Sequence, residues 1–596
     1  MNTHPRPLLT RDRWHTLDGT WEFAFDADAG TSREWSAGDV PLPLSIEVPF
    51  APQAPASRVG VDPASGVVWY RRVLAAAEVR RDEHERVVLH FGAVDHTADV
   101  WVNGNLVVRH RGGHVPFSAD ITDELRADGG DVVVVRAVDP RLDAEIPRGK
   151  QAWALDPHFI WYQRTIGIWR TPWIEVVPQH RLLDVAWSTD IRWGVTGTVE
   201  VSDVAVGARL RVELLGPDGV LGSTETHVHA TRVDVAVPVV ALRNAQARGA
   251  LLWSPESPTL ITVRLTLLVG DAVVDEAGSY VGLREVAVRG GRFLLNGRPY
   301  RTRAVLAQGY WPDGHFTAPD AGALEREAEL AKEFGFNTVR VHQKIEDPRF
   351  LAATDRLGLL VWAEAPAAYA FSLRSAEDFL AEWVEALRLR RSHPSVVCWV
   401  PFNESWGVQD LSDSDAQRDF VQAVTTLTRA LDPSRPVISN DGWEHVDSDI
   451  IGIHDYCNDP ALLVERFGDA DAVLRTALGP GPQGRRIAIT EALRARIASG
   501  ELPLMLSEFG GISWSDDASA WGYHSADDCG ALRELLEPLF RTVHALDLDG
   551  FCYTQLTDTA QETNGLAWPD RTPKLPVETI RALVLGTRTV PAPLPG

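Results

Sequence analysis

Hydrophobic and polar positions alternate in short runs through the first part of the chain: VVWYRRVL, ERVVLHFGAV, ADVWVNGNLVV and DVVVVRAV. A period of two is the mark of half-buried strands. In ADVWVNGNLVVRH, Asn103-Gly104 separates two alternating runs, the strongest short-range hairpin signal available. No helix-length pattern interrupts these runs, so residues 1–179 are expected to form a β-sandwich of the jelly-roll type. The same rhythm continues over 180–283 in GTVEVSDVAV, ARLRVELLG, TRVDVAVPVVAL and TLITVRLTLLVGDAVVDEAG. Roughly seven strands in that length fit an immunoglobulin-like β-sandwich, without the cysteine–tryptophan–cysteine signature of antibody domains.

After Arg284 the pattern changes. Apolar strand-like runs now alternate with helical stretches such as ALEREAELAKEFG and AEDFLAEWVEALRLRRS. Eight runs occur: 301–309, 337–342, 357–366, 396–405, 436–443, 451–456, 502–511 and 549–558. Eight βα repeats predict a C-terminal (β/α)8 TIM barrel over 284–596 and a multidomain protein overall. A doubly wound sheet would also want a Gly-rich phosphate turn after its first strand, and none is present.

Composition narrows the function. The 596 residues carry 58 Lys+Arg against 82 Asp+Glu, a net charge of −24. That surface repels polyanions, which excludes nucleic acid as the expected ligand. No apolar run approaches the ~18 residues of a spanning helix, so no membrane partner is expected. The beginning, MNTHPRPLLTRDRWHTLDGTW, has charges and Trp where a signal peptide has its apolar stretch, and the expectation is a cytoplasmic protein. Four cysteines, Cys398, Cys457, Cys529 and Cys552, lack CxxC spacing and read as reduced core thiols. His96, His110 and His114 lack metal-ligand spacing and are expected on the jelly-roll surface; no metal or cofactor is expected. Twenty-one Trp offer flat faces that suit sugar rings as well as cores. The sequence leaves a homo-oligomer open.

The barrel runs begin apolar and end polar or aromatic: AQG, RVH, WAEAP, FNES, NDGW, HDY, SEFGG and TQLTD. A TIM barrel builds its site from the C-terminal ends of its strands, so these tails are the candidate site. Two carboxylates stand out, Glu404 ending the fourth run and Glu508 ending the seventh. Those strands lie on opposite sides of the mouth, where the two side chains can face one another. Carboxyl groups about 5–5.5 Å apart serve a retaining glycosidase, and about 6.5–9.5 Å an inverting one.

HPSVVCWVPFNESWG resembles the acid/base segment of glycoside hydrolase family 2, and LMLSEFGG resembles that family's nucleophile segment. FGAVDHTADVWVNGN and GIWRTPWIEVV resemble its sugar-binding domain, and the order jelly roll, immunoglobulin-like sandwich, barrel is the family's. The resemblance implies Glu404 as general acid/base and Glu508 as nucleophile, with Asn403 on the sugar 2-hydroxyl. Arg340 and His342 are two apart on one strand and share a face; Arg340 is expected to hold Glu508 ionised and His342 to meet a sugar hydroxyl. Tyr456 stands where the family's clan places a tyrosine bonded to the nucleophile, and His454 shares its face. Asp441 and Trp443 end the fifth run, with Trp443 a candidate for stacking on sugar. Gln555 and Asp558 end the eighth, and Asn564 follows it.

The glycone is harder to read. Family β-glucuronidases carry Asn-x-Lys after the eighth strand, and here the stretch is Asn564-Gly565-Leu566. The cation is missing, which favours a neutral glycone, galactoside first, with shorter bacterial β-galactosidase-like members as the nearest resemblance. Glucuronide or mannoside specificity, or a catalytically silent carbohydrate-binding protein on the same scaffold, are the competing readings. PRGKQ (147–151) is expected to reach from the jelly roll toward the barrel mouth, and the insertion 458–501 to shape the aglycone side.

Overall fold

The computed structural model describes residues 4–26, 33–517 and 520–587. Its amino-terminal part is two antiparallel sheets. One orders the strands Leu44–Val48, Gly19–Phe25, Val67–Val73, Val132–Val138, Thr97–Val102 and Asn105–Arg111; the other orders Trp14–Thr16, Gly167–Pro178, Glu85–Asp95 and Phe117–Asp120. The alternating residues the sequence marks as apolar, among them Val87, Leu89, Phe91, Val133 and Val135, meet between the sheets in one core. Asn103 and Gly104 both take positive φ (51° and 86°), and Val102 pairs with Asn105 across the turn, as the Asn-Gly signal requires.

A second core lies between a three-stranded sheet (Leu182–Asp190, Gly194–Val201, Arg232–Pro238) and a four-stranded one (Gly219–His227, Ala208–Gly216, Ile261–Val269, Ala272–Val281). These are the seven strands of an immunoglobulin-like sandwich.

The carboxy-terminal part curls parallel strands around a third core. In sheet order they are Val396–Val400, Leu360–Glu364, Thr338–Val341, Thr302–Ala307, Gly550–Thr554, Leu504–Gly510 and Ile451–His454. Seven of the eight expected runs are strands. The fifth, 436–443, is reduced to two isolated parallel bridges, Trp399 with Val437 and Asn403 with Asp441. Among the described residues it makes no strand pairing with Ile451–His454, its neighbour in the ring. Side chains stitch that seam instead: Ser439 Oγ meets Ser448 Oγ at 2.9 Å, His445 Nε2 meets the Gly452 carbonyl at 2.9 Å, and Ser507 Oγ donates to Asp441 Oδ1 at 2.9 Å. The polar side chains of this run bond to partners outside it in place of a backbone ladder, which is why it reads as a strand and does not become one.

His96 and His114 are not on the jelly-roll surface. Both are buried, and His114 sits edge-on to Trp169 of the jelly roll and Phe316 of the barrel part. An apolar contact between distant segments covers the imidazole, and spacing along the chain carries no sign of it. Among the four free cysteines Cys398 and Cys552 are buried, while Cys457 and Cys529 are partly exposed. No helix among the described residues is long and apolar enough to cross a membrane.

Candidate active site

The strand tails converge. At the end of the fourth strand, Glu404 and Ser405 both lie in the left-handed region (φ 51° and 57°), which few residues other than Gly adopt. The turn is held by its surroundings: Ser405 N donates to Asn440 Oδ1 at 2.9 Å, and Trp406 N donates to the Asn403 carbonyl at 3.0 Å. This bend carries Glu404 off the strand line and into the mouth. Glu508 sits within the seventh strand, followed by Gly510 and Gly511, whose positive φ turns the chain beside Tyr553 and Tyr456. One ligand atom each from Glu404, His454 and Glu508 lies within 4.8 Å of the other two.

Arg340, fully buried on the second strand, is the hub. Its Nη1 donates to Glu508 Oε1 at 2.8 Å and to the Ser507 carbonyl at 3.0 Å, and stands 3.0 Å from Asp441 Oδ2. Its Nε pairs with Glu364 and its Nη2 with Asn403 Oδ1. A planar guanidinium distributes five donors in a fixed fork, so one side chain serves all five of these oxygens. Tyr456 donates its hydroxyl to Glu508 Oε2. His454, also fully buried, places Nδ1 2.8 Å from Glu404 Oε1, and Nε2 3.3 Å from Asp441 Oδ2 and 3.4 Å from Glu508 Oε1.

Burial works against the His454 imidazolium, but Glu508, Asp441 and Glu404 outweigh it and push its pKa up to about 10. Burial works against ionised Glu404 too, and the hydrogen bond and charge of His454, with Lys150 farther off, bring its pKa below the ordinary value. Asp441 and Glu364 are held low against their burial chiefly by Arg340. Glu404, His454 and Glu508 are close enough together to share a divalent cation. However, Arg340 already occupies the Glu508 oxygen, and both His454 ring nitrogens lie within 3.4 Å of carboxylates. Hydrogen bonds fill the cluster without an ion.

The expected site residues therefore sort into two groups. Arg340, Asp441, His454 and Tyr456 surround the two carboxylates, and His342 faces Glu364 Oε2 at 2.9 Å. Asn403, Trp443, Gln555 and Asn564 each present a polar atom without a protein partner: Asn403 Nδ2, Trp443 Nε1, Gln555 Nε2 and Asn564 Oδ1. An unsatisfied buried polar atom costs about 1–3 kcal/mol, so each of the four is held there at a cost. Asp558 is committed elsewhere, to Lys574 Nζ at 2.7 Å and Gly565 N at 2.8 Å. Sequence reasoning gave no role to Glu364, Trp406, Tyr523 and Glu562, whereas Lys150 lies in the PRGKQ loop it expected at the mouth. Tyr523 stacks on Tyr456 with ring centroids 3.3 Å apart, and Glu562 accepts from Tyr162 of the jelly roll. Glu364 ends the third strand and was detectable by its position. The others depend on loops with no periodic signal.

Residues 14–155 match the sugar binding domain of glycosyl hydrolases family 2, residues 183–284 match a further family 2 domain, and residues 286–469 match its TIM barrel domain. The chain belongs to glycoside hydrolase family 2. The barrel match ends before Glu508, whose place at the site rests on the geometry above. A β-galactosidase of Thermoanaerobacter pseudethanolicus is 27% identical over 381 residues, covering 62% of this chain, and the chain spans about half (48%) of that relative's length. A β-glucuronidase of Rattus norvegicus is 27% identical over 478 residues, covering 72% of this chain and 68% of its own. Among solved structures, a Ruminococcus gnavus β-glucuronidase with bound D-glucuronic acid superposes with a TM-score of 0.73 at 20% identity, covering 98% of this chain and 100% of its own. A family 2 β-galacturonidase from Eisenbergiella tayi superposes with a TM-score of 0.72 at 18% identity, covering 99% of both chains. These superpositions establish the shared fold.

Proposed function

We propose that the protein is a retaining exo-β-glycosidase. The observation that carries this reading is the spacing of the two carboxylates: an oxygen of Glu404 and one of Glu508 lie within 4.8 Å. So near an approach fits the short class of about 5–5.5 Å, in which the second carboxylate reaches the anomeric carbon with no water between them. Glu508, held by Arg340 and Tyr456, attacks the anomeric carbon while Glu404 gives a proton to the departing oxygen. Glu404 then takes a proton from water as that water displaces Glu508, and the β-configuration is retained. Asn403, oriented by Arg340 through its Oδ1, has its Nδ2 free for the sugar 2-hydroxyl.

The glycone in this reading is a β-D-galactoside. Glu364, Glu404, Asp441, Glu508 and Glu562 face Arg340, His454 and Lys150, so the mouth is net negative and disfavours an anionic sugar. The one lysine after the eighth strand, Lys574, is spent on Asp558 and the Thr563 carbonyl. One observation favours a second reading, a uronide. Lys150 of the PRGKQ loop is buried with no ion pair among the described residues, in the field of Glu562, Glu404, Glu508 and Glu364. A substrate carboxylate would pair with it.

A panel of nitrophenyl β-glycosides decides between them. A galactoside should be cut faster than glucuronide or galacturonide, and Lys150→Met should change that order little. If a uronide leads and Lys150→Met abolishes its lead, the second reading replaces the first. Glu508→Ala should lose at least about a thousandfold in kcat. Inactivity of the native protein on every sugar would leave a carbohydrate-binding protein on the family scaffold. With azide, Glu508→Gly should yield the α-glycosyl azide and Glu404→Gly the β-anomer, which separates the two roles.

A further inference from the structure

Glu404 has two oxygens, and they have different neighbours. Oε1 is taken by His454. Among the described residues Oε2 meets only the indole N–H of Trp406, at 3.4 Å. On the assignment of Glu404 as acid, the free oxygen is the one that protonates the departing group, so that group leaves alongside Trp406.

An aromatic wall continues outward from that point. Trp406 packs edge-on to Trp161 of the jelly roll at 5.1 Å and lies 5.8 Å from Tyr369. Trp161 belongs to a tight turn in which His158 and Trp161 exchange backbone hydrogen bonds of 3.0 and 2.9 Å. Inside that turn Phe159 takes φ 48°, a strained conformation for a bulky residue, and the residue is 62% exposed. The barrel fixes the strained turn: Gln561 Nε2 donates to the carbonyls of Phe159 at 2.8 Å and of Trp161 at 2.9 Å. A large apolar ring is thus held out of the core by a non-Gly left-handed residue, on a loop clamped by Gln561 of the barrel and joined through Trp161 to Trp406.

We propose that this turn is the leaving-group subsite, with Phe159, on the turn braced by the buried Trp161, receiving an aglycone that offers a flat apolar face, either an aryl ring or the C–H face of a second pyranose. The inference rests on the glycosidase reading and deepens it. The insertion 458–501, expected on the aglycone side, brings Arg485 over the Trp443 ring at 4.3 Å, and that ring lies 5.9 Å from Trp406.

The test compares benzyl, disaccharide and methyl β-glycosides of the preferred glycone. Benzyl and methyl alcohols have similar acidity, so leaving-group chemistry does not separate them. Phe159→Ala, at an exposed position, should lower the benzyl-to-methyl or disaccharide-to-methyl ratio of kcat/KM three- to tenfold, and whichever ratio falls names the occupant. Phe159→Tyr should keep the native ratio. Ratios unchanged in Phe159→Ala for both pairs would overturn the subsite and leave the glycosidase reading intact. A native protein that cuts no glycoside would end both.

Discussion

His454 joins the two carboxylates at the residue scale. Its imidazolium persists through neutral pH, and it keeps Glu404 ionised in the free protein, so the acid step draws on the protonated fraction. Activity should accordingly favour the acidic side of neutrality. Removing the cation with His454→Asn should raise the Glu404 pKa and move the basic limb of the kcat/KM–pH profile to higher pH, a shift that a merely structural loss would not produce. The same group is linked to stability. A histidine whose folded pKa is raised from 6.5 to about 10 contributes fully below 6.5 and loses its contribution as pH rises through 10. Native melting temperature should fall across that window, and His454→Asn should flatten the fall. Arg340→Lys keeps a charge but loses the fork that serves Glu508, Glu364 and Asn403 together; kcat should drop at least about tenfold.

Among the elements, the seventh strand shows how tightly the site is framed. A Cβ on Gly510 would lie 2.4 Å from the Tyr553 ring, at a φ of 91°. Gly510→Ala should cost about 1–3 kcal/mol by thermal unfolding and reduce kcat by displacing Glu508. The strands themselves were legible because burial imposes a period on them, and the polar tails FNES and SEFGG were legible because each breaks an apolar run. Asn103-Gly104 was legible because its backbone demand is local. The seam at 436–443 was not, because Ser439 and Asp441 bond through side chains whose partners lie elsewhere in sequence. Nor was the pairing of Tyr162 with Glu562, which joins a jelly-roll loop to the loop after the last barrel strand across four hundred residues. No local rule contains such a contact.

On the scale of the whole molecule, the jelly roll is locked to the barrel by a buried carboxyl. Glu382, in the barrel helix Leu373–Arg390, accepts from the backbone of Gly113 at 2.9 Å and His114 at 3.1 Å. Glu382→Ala would strand both donors and should cost about 1–3 kcal/mol, read as a lower melting temperature and easier proteolysis between the parts. Burial, then Asp95, pushes the Glu382 pKa up to about 8. The folded state then keeps a proton that the unfolded chain releases from about pH 4.5, so this group's share of stability declines as pH climbs toward 8.

The unladdered gap between the fifth run and its neighbour has a dynamic consequence. Backbone amides of the fifth run lack the cooperative protection of a ladder, so deuterium should enter 436–441 before it enters Thr338–Val341, Leu360–Glu364 or the laddered Ile451–His454. A covalently trapped glycosyl group, tying Glu508 and the residues around it to one rigid body, should slow that uptake. The ring would then be most pliable where catalysis assembles its charges, and stiffest while a sugar is attached.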